Sequence, residues 1–67
     1  MYVDREKIVL HLCLCCIDAK DLAEKSGVPA PTVYRIMGNP GKSKVRTSTA
    51  GKIARALGVD VTEILAD

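Results

Sequence analysis

The chain has no tryptophan and no phenylalanine, and two tyrosines, Tyr2 and Tyr34, are its only aromatic residues. Any core it builds is therefore aliphatic. Long apolar runs are missing as well. The longest, Ile8 to Ile17, is 10 residues and is interrupted by His11, whereas a membrane-spanning helix needs about 20. Cysteine is sparse and poorly spaced for cross-linking: Cys13, Cys15 and Cys16 fall within four positions and are odd in number. That excludes a disulfide framework and predicts a reducing compartment. Asp4 and Glu6 stand where a secretory leader would be basic. These absences predict a soluble, cytoplasmic protein of bacterial type that has no membrane partner.

A further absence is local. All eight acidic residues lie in 1–24 or 60–67, so the stretch from Lys25 to Val59 carries seven cations and no acid. The net charge of +2 hides this basic middle, made of Lys25, Arg35, Lys42, Lys44, Arg46, Lys52 and Arg55. Such a distribution is the electrostatic footprint of a nucleic-acid binder, although a merely solvated basic face has the same composition. With 67 residues the chain is predicted to be one domain, burying only roughly 60% of its unfolded surface.

What is present reads as helix. Asp4 is a candidate cap for a first helix over 4–16, with Ile8, Leu12 and Cys15 on one face. Asp18 is a second cap, with Asp21 in the first turn, and this second helix stops at Gly27. A third helix starts within Pro29-Ala30-Pro31, carries Val33 and Ile36 inward, and ends near Gly38. Asn39-Pro40-Gly41 marks a turn, followed by a polar loop. Thr47 or Ser48 caps a fourth helix with the stripe Ala50, Ile53, Ala54 and Leu57. Asp60 and Glu63 form a capping-box pattern for a short fifth helix holding Ile64 and Leu65. No segment alternates long enough to predict a strand. The expected fold is all-α, a compact bundle of five helices.

The stretch DAKDLAEKSGVPAPTVYRIMG (18–38) resembles the helix-turn-helix of the lambda-repressor-like family, of Cro and phage-repressor type. There an LA-x-x-x-GV helix and turn precede a helix of form S-x-x-T-[VI]-x-[RK]-[IW]. Leu22, Ala23, Gly27, Val28, Thr32, Val33, Arg35 and Ile36 match. Downstream, KIARALGVDVTEIL (52–65) resembles that family's fourth and fifth helices. The lactose-repressor family shares the AEKSGVPAPTVYRIM pattern but opens directly on this helix, so the helix at 4–16 favours the phage-repressor type. Physics agrees with the matches: Ala23 is small where two helices cross, and Gly27 makes the sharp turn between them. One departure stands out. Where many phage repressors pair a buried arginine with a glutamate, this chain has Leu12 and Met37. An apolar pair of similar volume equals or exceeds a buried ion pair in stability, so Leu12 and Met37 are expected to touch.

The resemblance implies double-stranded DNA as the partner, with the third helix entering the major groove. Its base-facing set carries over to Ala30, Pro31, Thr32, Tyr34 and Arg35, of which only Arg35 can pair bidentately with guanine. Pro31 costs no helix bond in the first turn, but it removes an N–H and a reading side chain. Modest sequence discrimination is therefore expected. Phosphate contacts are expected from Ala19 and Lys20 at the start of the second helix, and from Lys42, Lys44 and Arg46. The resemblance further implies a small repressor, bacterial or phage-encoded, with no ligand or cleavage module past the DNA-binding unit.

HLCLCC invites a metal hypothesis. Cys13, Cys15 and Cys16 diverge around a helix, and His11 joins only Cys15 on one face, so four converging ligands are not available. No metal, no cofactor and no small-molecule ligand is expected, and Cys15 reads as a small core residue. One histidine without a nearby acid, no Gly-rich phosphate loop and a short chain argue against an enzyme. The first helix is apolar nearly all round, with Val9, Leu10, Cys13 and Leu14 added to its inward face. That surplus predicts an exposed patch covered by a second subunit or by the C-terminal helix, and a homodimer matches palindromic operators. The competing function is a protein-interaction module on the same fold, an antitoxin or antirepressor acting through helix 4–16.

Overall fold

Asp4 both ends a short strand and starts a helix. In the computed structural model, which describes all 67 residues, the order is β1 (Tyr2–Asp4), α1 (Arg5–Cys15), α2 (Ala19–Ser26), α3 (Ala30–Gly38), β2 (Lys42–Lys44) and α4 (Thr47–Leu57), followed by a 3-10 turn at Val61–Glu63. The Asp4 carboxylate accepts from the N–H groups of Glu6 and Lys7 at 2.9 and 3.3 Å. Two of the four orphan donors at the helix start are thereby satisfied. At the far end Cys16 closes α1 with φ 59°, the only non-glycine residue at positive φ.

Two expectations need correction. The helices number four, and the segment expected as a fifth is a single 3-10 turn. Asp60 does cap it, accepting from the Thr62 N–H and hydroxyl at 2.9 Å, but Ile64 and Leu65 lie beyond it. Ile64 closes the turn and Leu65 bridges to Val3 of β1: Asp4 N donates to Ile64 O at 2.8 Å and Ala66 N to Tyr2 O at 3.0 Å. Burying Ile64 completely outweighs one more helical turn, since a buried isoleucine is worth about 1.5–3 kcal/mol. The loop expected at 42–46 contains β2, which pairs antiparallel with β1, Val3 opposite Ser43. A three-residue strand is too short for a period-two signal, so this pairing was hidden in the sequence.

The core gathers one aliphatic face from each helix: Ile8 and Leu12 from α1, Leu22 and Ala23 from α2, Val33 and Ile36 from α3, and Ala50, Ile53, Ala54 and Leu57 from α4. α2 packs against both α3 and α4, with Ala23 buried between them. Gly27 turns the chain from α2 to α3 at φ 76°. A Cβ there would meet nothing within 4 Å, so the left-handed backbone, not lack of space, is what selects glycine. Leu12 is buried and half-buried Met37 borders the same cluster. A polar tie also joins these elements: Arg5 Nε donates to Met37 O at 2.7 Å, linking α1 to the end of α3 without a buried ion pair.

The inward face of α1 is narrower than its composition suggested. Leu10 and Leu14 are 60% and 70% exposed, and Cys13, Cys15 and Cys16 are all exposed. Cys15 is therefore not a core residue. It lies at the last turn of α1, where its Sγ approaches Leu57 O at 3.7 Å. No helix is long and apolar enough to cross a membrane.

Candidate nucleic-acid interface

α3 begins without a side-chain cap. Pro29 stands at the cap position with ψ 136° and its carbonyl accepts from Thr32 N and Val33 N at 3.0 and 3.2 Å. Pro31 is the second helical residue, where its missing N–H breaks no helix bond. Only the Ala30 N–H is left at this end for an outside acceptor. Val33 and Ile36 anchor the inner face. Pro31, Tyr34 and Arg35 are exposed on the outer one, and Ala30 and Thr32 are half-buried.

Of the residues singled out from the sequence, the fold unites four. Thr32 and Arg35, one turn apart on α3, share an open cleft of about 650 Å³ with Lys44 and Arg46. Three cations of different elements converge there with no acid among the lining residues. The other wall belongs to the start of α4, through Thr47 and Thr49. Neither threonine was foreseen as a site residue. Thr47 or Ser48 is the expected cap, yet the cap position falls on Arg46, which makes no side-chain capping bond. The first-turn N–H groups of α4 therefore lack a side-chain acceptor beside two cations, an arrangement suited to a phosphate oxygen.

The remaining residues lie elsewhere. Tyr34, half exposed, stands on the outer face of α3 with Pro31, outside the cleft lining, while Ala30 packs partly against the core. Lys42 extends over the Tyr2 ring, 5.3 Å from its centroid. Ala19 and Lys20 open α2, where the predicted capping is realised as a box: Asp21 N donates to Asp18 Oδ1 at 2.9 Å and Asp18 N to Asp21 Oδ2 at 3.3 Å. The Asp21 N–H holds the Asp18 carboxyl below its ordinary value, helped by the Lys20 N–H and the charge of Lys20. Two carboxylates thus occupy the helix start at which a phosphate was expected. The basic middle is also not one surface. Lys25, Lys52 and Arg55 line a second cleft, near the C-terminal ends of α2 and α4.

The same fold occurs in solved structures. The chain is similar to native PhpD with cadmium atoms and to PhpD with cadmium complexed with hydroethylphosphonate. Both match at 22% identity and TM-score 0.82 over 100% of this chain. The chain spans 14% of the length of those proteins, and at this identity the likeness concerns the fold alone. No curated protein matches the chain. Residues 16–67, from the cap of α1 through the whole helix-turn-helix to the last residue, match the model of the Cro/C1-type HTH DNA-binding domain. The chain belongs to that family.

Proposed function

We propose that this protein is a sequence-specific transcriptional regulator, a small repressor whose 67 residues act as one cytoplasmic DNA-binding domain, without catalysis or cofactor. α3 enters the major groove with Ala30, Pro31, Thr32, Tyr34 and Arg35 towards the base edges, while Lys44 and Arg46 hold the phosphate backbone. Lys42 and the start of α2 add flanking contacts. At α2 the attraction rests on the Lys20 side chain, because the Asp18–Asp21 box occupies the backbone donors beside Ala19. The observation that carries this reading is the shared cleft of Thr32, Arg35, Lys44 and Arg46 at the uncapped start of α4. It offers a reading side chain and a phosphate grip within one surface.

Selection of binding sites from random duplex DNA tests it. A palindromic consensus is the expected result, together with a roughly 10- to 100-fold loss for Arg35→Ala confined to sites bearing its guanine, equivalent to about 1–3 kcal/mol. No enrichment at low salt sinks the proposal. The palindrome requires a homodimer, which sedimentation of the chain with the selected DNA reads directly. A second reading draws on one observation: Leu10 and Leu14 stand 60% and 70% exposed on α1. Such a stripe suits a protein partner, and a chain that selects no DNA site would act through it.

A further inference from the structure

Three helices end at the second cleft. Cys15 is the last residue of α1, Ser26 the last of α2, and Leu57 the last of α4. With Lys25, Lys52 and Arg55 they line an open cleft of about 550 Å³, within the ~300–1,000 Å³ range of small-molecule sites. No acidic residue lines it. Part of its charge has a structural purpose, because Lys25 and Arg55 sit in the last turns of α2 and α4, where cations offset the helix dipole. The offset is incomplete: three helix ends supply about −0.5 each, half of the charge of three cations. Net positive charge remains around a thiol.

Exposure does not single out Cys15, since all three thiols are exposed. Its surroundings do: among the cysteines only Cys15 lines this cleft. We propose that Cys15 is a modification site for anionic low-molecular-weight thiols, which reach it as their disulfides and leave it as a mixed disulfide. The carboxylates of the incoming disulfide are drawn to Lys25, Lys52 and Arg55, and Cys15 Sγ attacks one of its sulfurs. A new S–S bond forms to Cys15 as the reagent's own S–S bond breaks. The departing half leaves as thiolate and takes up the proton that Cys15 gave up. The disulfide is the oxidant, one equivalent is consumed per site, and excess free thiol reverses the reaction. The inference stands apart from the DNA reading, because the two clefts share no lining residue.

The test treats the reduced chain with three disulfides of different charge: oxidised glutathione (anionic), 2-hydroxyethyl disulfide (neutral) and cystamine (cationic). Peptide mapping by mass spectrometry then gives the rate at each thiol. With oxidised glutathione, Cys15 is expected to react about tenfold faster than Cys13 or Cys16, within the range of electrostatic steering, and the ratio should shrink with added salt. The neutral and cationic reagents should show no such preference. Lys25→Gln, Lys52→Gln and Arg55→Gln together should abolish it while leaving the neutral reagent's rates unchanged, with far-UV circular dichroism checking that the variant is folded. Equal rates at all three thiols with oxidised glutathione overturn the proposal. So does a Cys15 preference that is the same for all three reagents, or one that survives the triple substitution.

Discussion

The two ends of α4 carry the same charge and opposite electrostatics. At its start, Arg35, Lys44 and Arg46 surround an uncapped N-terminus, whose dipole adds about +0.5 to charges that already repel one another. At its far end, Lys25, Lys52 and Arg55 surround the C-termini of three helices, which partly neutralise them. On the proposed function, the first cluster is the one that an extended polyanion would relieve. The second is partly satisfied within the fold and retains attraction enough for a small anion only. Counting cations along the chain treats all seven as one footprint, and only the fold separates the cluster at a helix start from the one at the helix ends.

The largest effect should come from breaking the element both clefts share. Ile53 is buried at the middle of α4, so Ile53→Ala is expected to cost about 2–5 kcal/mol, a large part of the stability of a domain this size. Urea denaturation checks it, and both DNA binding and the charge preference at Cys15 should weaken together. Loss of one without the other would mean that the clefts do not share a rigid frame.

Next in size is the salt dependence of DNA binding. Lys44→Gln with Arg46→Gln should reduce the slope of log K against log[salt] by about 1.8, two phosphates' worth. Between 50 and 200 mM salt that is roughly a tenfold difference in how affinity falls. Lys52→Gln with Arg55→Gln should leave the slope unchanged. Adding Lys42→Gln to the first pair sharpens the comparison, because Lys42 lies over Tyr2 and not in the cleft. A slope that responds equally to both pairs would show one continuous phosphate track, and the distinction between the clefts would fall.

The sequence made these elements legible unevenly, for physical reasons. Helix starts marked by Asp4 and Asp18 and the stop marked by Gly27 are readable because each is a local device, a carboxylate or a left-handed backbone within a few residues of what it caps. The strand pairing of residues 2–4 with 42–44 is non-local and three residues long, so no periodicity announces it. The same limit hid the site. Arg35 was visible from the helix-turn-helix pattern, but its partnership with Lys44, Arg46, Thr47 and Thr49 depends on how α4 packs against α2. Cys15 stays exposed because it lies one turn past the last buried residue of α1, Leu12, where spacing suggests an inward face but only the end of α4 stands nearby, Leu57 O lying 3.7 Å from its Sγ.

The start of α2 offers the smallest effect and a control for the other two termini. It is sealed by its own acids, where α4's start is open. Asp18 titrates below its ordinary value of 3.8, chiefly through the Asp21 N–H, and Asp60 is lowered in the same way by Thr62. A carboxyl lowered in the folded state contributes stability above its unfolded pKa, and that contribution is lost as pH falls through the folded one. Fraying at residues 18–21 and 60–63 is therefore expected only in acid, below about pH 4. Amide exchange followed by NMR between pH 7 and pH 3 should show it, with the protection of core amides such as Ile53 declining later. Asp18→Asn keeps the capping oxygen while removing the charge, so it should abolish the acid step at α2 and leave that at Asp60. The same variant sharpens the comparison of helix starts. Relieved of one carboxylate beside Lys20, it should bind DNA more tightly at low salt, the gain fading as the Debye length shortens. Unchanged or weaker binding would mean that α2's start stands clear of the phosphates and leaves the grip to the cleft at α4.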